Sequence, residues 1–109
     1  MALQGGKSVC LRRVEPEHIL DLIMVEKVSH YRGAPIAHGF IGDETQKRGL
    51  IFDPPIEALI GGAPPPVSLL AAMAGIVAHL TRIYGLTETC GPTCIWQRQP
   101  RWADLDSAT

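Results

Sequence analysis

Tyr84-Gly85-Leu86-Thr87-Glu88-Thr89 gathers several kinds of chemistry within six residues. Its aromatic face can stack on a base, its glycine admits close approach, and its hydroxyls can meet a phosphate. Its carboxylate can hold Mg2+, which takes one or two carboxylates plus substrate phosphates, so a lone Glu88 suffices chemically. By spacing alone the stretch is equally a polar loop. A second stretch, Gly61-Gly62-Ala63-Pro64-Pro65-Pro66, follows one candidate strand and precedes a candidate helix. Its glycines let backbone approach a flat or anionic ligand, and the helix N-terminus behind it favours negative charge. Taken alone it reads first as a tight β-to-α turn. Gly5-Gly6-Lys7-Ser8 ends like a phosphate-binding loop, but the first glycine of that motif would fall on Met1. The segment also precedes a strand instead of opening a helix, so it reads as a turn. Cys10, Cys90 and Cys94 are odd in number, and His18, His30, His38 and His79 are scattered singly. Neither a disulfide scaffold nor a zinc ribbon is expected, and a reducing cytoplasm fits best.

Holding such loops together requires a sheet. Short β-rich runs predict strands at 8–11, 28–31, 57–60 and 81–84. Between them, Pro16 to Lys27 reads as a helix, with Pro16 in its first turn and Glu15 and Glu17 at its positive end. A short helical stretch is expected over Ile36 to Ile41, then a polar surface loop with a helical turn over Gly42 to Pro55. A helix from Val67 to about Leu80 is weakened or ended near Gly75, and Leu69, Leu70 and Met73 should face the sheet. Residues 97–109 are polar and read as a peripheral arm. The alternation implies an α/β fold of parallel-sheet βαβ units. Loops leaving the strand C-termini then share one edge, where open α/β sheets bind ligands. Those loops are Arg32-Gly33-Ala34-Pro35, Gly61 to Pro66 and Gly85 to Pro92.

Composition narrows the function classes. At 109 residues the chain makes one small domain at most, and 10 Lys+Arg against 11 Asp+Glu leave −1. That balance excludes the cationic surface a nucleic-acid binder uses on phosphates. With 46% hydrophobic and 19% charged residues, the chain is not disordered by composition. Met1 to Ser8 is too polar and Gly-rich for a signal peptide. Ala58 to Leu80 carries no formal charge and has the length of a span, but Gly61-Gly62 and Pro64-Pro65-Pro66 break it. No membrane span is expected.

Leu59-Ile60-Gly61-Gly62-Ala63-Pro64 together with Tyr84-Gly85-Leu86-Thr87-Glu88-Thr89 resembles the AMP-forming acyl-CoA synthetases, or adenylate-forming ligases. Gly5-Gly6, Val9 to Val14, and His30 followed by Gly33-Ala34-Pro35-Ile36 are similar to that family's middle region in order and approximate spacing. Cys90-Gly91-Pro92, Trp96, Trp102 and Asp104 resemble its medium-chain and plant acyl-activating branch, so the likeness covers essentially the whole chain. Two before Tyr84 the close relatives carry histidine, whereas this chain has Arg82.

The resemblance implies roles by position. Gly61, Gly62, Ala63 and Pro64 would line an adenine pocket and Tyr84 would pack on the base, with Gly85 and Leu86 beside it. Thr87 would contact the α-phosphate and Glu88 would coordinate Mg2+. Gly33, Ala34, Pro35 and Gly85 would border an acyl pocket. The implied substrates are a small-molecule carboxylic (fatty) acid, ATP and CoA. The carboxylate would attack the ATP α-phosphate to give acyl-AMP and pyrophosphate, and a CoA thioester would follow. Nothing in the chain resembles the family's triphosphate loop, ribose-binding aspartate, hinge or C-terminal catalytic lysine. Residues 1–109 are therefore expected to be a partial AMP-binding domain that needs the rest of the large domain and a C-terminal domain. A non-catalytic nucleotide- or acyl-binding remnant and a small α/β interaction module are the competing readings.

Overall fold

The computed structural model describes residues 2–77, 79–97 and 99–102. Helix α1 (Pro16–Val25) starts with proline at its first position and carries Glu17 in its first turn. It buries Leu20 and Ile23. Its end is closed by Glu26 N donating to Leu22 O (2.9 Å) and Val28 N to Ile23 O (3.0 Å), with Lys27 left-handed at φ 51°. This reversal delays strand β1 (His30–Gly33) two residues past the expected start.

Helix α2 (Pro35–Arg48) is much longer than the stretch expected over 36–41, and it takes in the first half of the expected loop. Gly42 does not break it, because the helix packs there against Met73 and Ile76, close enough that a Cβ would just touch them. A Cβ would sit 3.5 Å from Met73 Sδ and 3.6 Å from Ile76 Cδ1. Glu44 and Arg48 then pair one turn apart at 2.8 Å. Gly49 stops the helix in the left-handed conformation (φ 62°), with Leu50 N bonded to Thr45 O.

Strand β2 (Glu57–Ile60) and helix α3 (Val67–Ala74) follow, the helix ending at Gly75 as its sequence suggests. Strand β3 (His79–Leu86) extends beyond the expected 81–84 at both ends. Strands β1, β2 and β3 are parallel and adjacent, with Gly33 opposite Ile60 and Ile60 opposite Arg82. Leu20, Ile23, Ile41, Phe52, Ile56, Ala58, Met73 and Val77 form the core between helices and sheet. Leu70 and Met73 are buried and Leu69 packs on that core, as the periodicity of α3 predicts.

Two expectations about the strands fail. Residues 8–11 form no strand: Val9 and Leu11 are exposed, and Lys7 is paired with Glu26 at the end of α1. A β-rich run becomes a strand only by sharing a ladder, and β1 leaves that edge unused among the described residues. The fourth strand is instead β4 (Gly91–Trp96), antiparallel to β3 in a hairpin. A 3₁₀ turn over Thr87–Thr89 with left-handed Cys90 (φ 58°) and Gly91 (φ 124°) reverses the chain. The signal for it was present in Thr93-Cys94-Ile95-Trp96 after a glycine. At the far end Trp102 stacks on Trp96 with ring centres 5.9 Å apart, and Asp104 lies outside the described residues.

Candidate functional site

Three parallel strands put their C-terminal ends on one edge, and the glycine loops leave from there. Gly61 N donates to Gly33 O at 3.4 Å, which carries the β1–β2 ladder one step past both strands. A Cβ on Gly61 would lie 2.6 Å from Ile83 Cγ1. A side chain at 61 would fit only if Ile83 on the neighbouring strand shifted, and this residue touches both β1 and β3. Gly62 has φ 91° and open space around its Cα, so a turn conformation explains that glycine. Gly62, Ala63 and Pro64 are exposed, and α3 starts after Pro66.

Strand β3 continues past this edge. Tyr84 is two residues beyond the Gly33–Ile60–Arg82 level and is 62% exposed, which leaves its ring open to a partner. Gly85 has a different explanation from the ligand approach expected of it. A Cβ there would fall on Gly91 O and 2.8 Å from Pro92 Cα, at a register shift between Tyr84 and Gly85. Its own hairpin partner fills the space, and the glycine lets β4 close on β3.

The turn over Thr87–Thr89 separates its three side chains by role. Thr89 Oγ1 accepts from Leu86 N (2.9 Å) and lies 2.9 Å from both Leu86 O and Gly91 O, to one of which it donates. Thr93 Oγ1 donates to it at 3.2 Å. Thr89 is therefore the buckle of the hairpin. Thr87 and Glu88 are exposed, and their side chains have no hydrogen-bond or ion-pair partner among the described residues. Four residue steps along the strand separate Ile83 from Thr87, about 13 Å. Thr87 and Glu88 therefore stand out along the edge from Gly61 and do not touch it.

One lone carboxylate suits a Mg2+ that arrives with phosphates. Among the described residues no three His, Cys, Asp or Glu side chains gather to hold a metal by themselves.

Gly33, Ala34 and Pro35 join β1 to α2, Pro35 being the first helical residue. Beneath them sits a residue that sequence reasoning passed over. His38 is fully buried, with Nδ1 3.1 Å from Tyr31 Oη and Nε2 3.2 Å from both Gly33 O and Leu59 O. Carbonyls only accept, so Nε2 carries the proton and is shared between them, while Nδ1 accepts from the Tyr31 hydroxyl. Burial lowers the His38 pKa, and the carbonyl bonds from Leu59 and Gly33 only partly oppose it. Burial likewise raises Tyr31 above the ordinary phenol range. Both groups are neutral. No local pattern marks His38, since its partners lie on two strands that meet it only in the fold.

Arg82, where the resembling family has histidine, lays its guanidinium 3.8 Å over the Trp96 ring. It contributes a half-exposed wall next to Tyr84 on the β3–β4 pair.

The family model described as AMP-binding enzyme matches residues 1–109. The chain is 30% identical over 105 residues to trans-cinnamate:CoA ligase of Petunia hybrida, covering 96% of this chain and 18% of that protein. It is 35% identical over 103 residues to 4-hydroxybutyrate--CoA ligase 2 of Metallosphaera sedula, covering 93% of this chain and 18% of that protein. O-succinylbenzoate Coenzyme A synthetase from Bacillus subtilis, solved in complex with AMP, superimposes with a TM-score of 0.76 at 22% identity. That match covers 93% of this chain and 20% of the solved one, so the chain spans about a fifth of the proteins it matches.

Proposed function

Because the chain belongs to the AMP-binding enzyme family of adenylate-forming ligases, we propose that its C-terminal sheet edge is one wall of a site that activates a carboxylic acid with ATP. One observation carries this reading. Gly33, Ile60 and Arg82 stand level at one edge with Gly61 and Ile83 one residue further on, and β3 continues from there to an exposed aromatic and two unengaged polar side chains. The adenine lies against the Gly61-Gly62-Ala63-Pro64 backbone and the Tyr84 ring. A nucleotide extended along β3 reaches from base to phosphate across the gap between Gly61 and Thr87. The Thr87 hydroxyl meets the α-phosphate and Glu88 holds Mg2+, which neutralises phosphate charge when bound.

Exposure of Thr87 and Glu88 on a turn already fastened by Thr89 means that neither must break an internal bond to engage ligand. Preorganisation of this kind lowers the cost of binding. The acid substrate approaches from the Gly33-Ala34-Pro35 side, where its carboxylate can reach the α-phosphate to give acyl-AMP and pyrophosphate. CoA is the acceptor in the second step. Residues 1–109 act as part of an adenylation domain, and the remaining walls come from other parts of the intact enzyme.

Titration of the chain with AMP and Mg2+, followed at backbone amide resonances, tests the reading. Shifts should concentrate at Gly61, Gly62, Gly85 and Thr87, and Glu88→Gln should weaken the Mg2+-dependent part. Saturating AMP that moves none of these amides rejects the site.

A further inference from the structure

We infer that His38 is a positioning residue for this site, sharing its Nε2–H between the Gly33 and Leu59 carbonyls and so fixing the β1 and β2 ends from which the glycine loop departs. The consequence for ligand binding rests on the nucleotide reading above. A carbonyl oxygen has two lone pairs, so near the ends of parallel strands a side-chain donor can add to a ladder bond and tie the strands to a third element. His38 supplies that donor to two strands at once. Gly33 O in turn accepts from both His38 Nε2 (3.2 Å) and Gly61 N (3.4 Å). One carbonyl thus ties α2, β1 and the first residue of the Gly61 loop together.

The arrangement fixes its own tautomer. Tyr31 Oη donates to Nδ1, which forces the remaining proton onto Nε2, facing the carbonyls. The two rings lie 5.1 Å apart and inclined at 38°, so the imidazole is also held by packing. A Cβ at position 33 would press on Ala37 Cβ at 3.2 Å and only touch His38 Nε2, at 3.7 Å, so the glycine answers to Ala37. Leucine at 38 would fill the same space yet leave both carbonyls without this donor. Glutamine, with an amide N–H at similar reach, would restore it.

The test compares wild type with His38→Leu, His38→Gln and Tyr31→Phe in the 109-residue chain. Imidazole nitrogen shifts should show His38 protonated at Nε2, and Tyr31→Phe should produce a mixture of tautomers. The Gly61 amide should exchange much faster in His38→Leu and near the wild-type rate in His38→Gln. AMP affinity should fall roughly tenfold in His38→Leu and recover in His38→Gln. A proton on Nδ1, or Gly61 exchange unchanged in His38→Leu, overturns the proposal. If His38→Leu does not fold, the tautomer and Gly61 exchange in Tyr31→Phe decide it, and wild-type values for both reject it. Wild-type chain that binds no AMP removes the nucleotide reading alone, and the strand clamp still stands or falls on Gly61 exchange.

Discussion

Thr89 and Glu88 are neighbours with opposite duties, and substitution should separate them. Thr89 Oγ1 is the shared node of four contacts inside the hairpin turn, whereas the Glu88 carboxylate touches nothing among the described residues. Thr89→Ala should lower unfolding stability by about 1 kcal/mol, the usual net worth of a hydrogen bond. Glu88→Gln should stay within about 0.5 kcal/mol of wild type, as surface changes do. Urea unfolding of both variants checks this. In an intact parent enzyme the ranking should invert at limiting Mg2+, with Glu88→Gln losing more activity. His38 adds a pH signature. Its pKa is lowered in the fold, so the unfolded chain binds the extra proton first and stability rises with pH. The contribution is complete above the ordinary value of 6.5 and is lost as pH falls through the lower folded value. Melting temperature should therefore drop between neutral and mildly acidic pH, and His38→Gln should flatten that drop. Equal slopes in the two proteins would show that His38 is not the group responsible.

Elements set how much each glycine matters. Gly61→Ala would push a Cβ against Ile83 Cγ1 at 2.6 Å, a side-chain atom that can yield by rotation or small shifts. A cost of about 1–3 kcal/mol is expected, as for other overpacked sites. Gly85→Ala meets backbone at Gly91 and Pro92, which cannot step aside without opening β4. Hydrogen exchange should show the β4 amides unprotected in Gly85→Ala while β1 and β2 keep their protection. Protection of β4 unchanged by Gly85→Ala would contradict the close approach of the two strands. Helix α2 illustrates a different balance. A glycine-bearing, highly charged stretch reads as loop, yet Gly42 packs on α3 and Arg48 joins Glu44 to Asp21 (2.7 Å) on α1. The Arg48 hydrogen bond, and then Lys47, hold the Glu44 carboxyl below its ordinary pKa. Packing and a left-handed Gly49 stop outweighed the local propensity.

For the whole molecule, activity depends on what surrounds the edge. Lys7 is paired with Glu26 past the end of α1, and Lys47 with Glu44 near the end of α2. Helix α2 starts at the candidate edge and runs about 21 Å away from it. Those lysines, and Lys27 before β1, therefore lie toward the other end of the sheet, while of the two arginines near the edge Arg82 lies over the Trp96 ring and Arg32 belongs to the outer strand β1. Attack at a phosphorus needs preorganised positive charge at the developing oxyanion. The 109-residue chain alone should accordingly release no pyrophosphate from ATP with a panel of fatty acids. Turnover abolished by Glu88→Gln would show instead that the edge is sufficient. Ile36, Ile51, Tyr84 and Ile95 are all more than 60% exposed, and both β1 and β4 are edge strands, so much apolar surface is available for contact. No helix among the described residues is long and apolar enough to cross a membrane.

Sequence alone determined the features that depend on near neighbours in the chain. Pro16 starting a helix, Gly75 ending one, Leu70 and Met73 facing inward, and the Gly61 loop between strand and helix all follow from local sterics and periodicity. So does the shared edge, because parallel βαβ units leave no other place for those loops. Residues 8–11 and 93–96 show where local reading stops. Both are β-rich, and only the second found a partner, since a strand's backbone groups must be satisfied by another strand. The duties of Gly85, Thr89 and His38 were likewise decided in three dimensions. Gly85 answers to Gly91 and Pro92 across a hairpin, and His38 to Leu59 twenty-one residues away. Contacts of that range carry no periodicity or spacing in one chain, so only the tertiary structure could assign them.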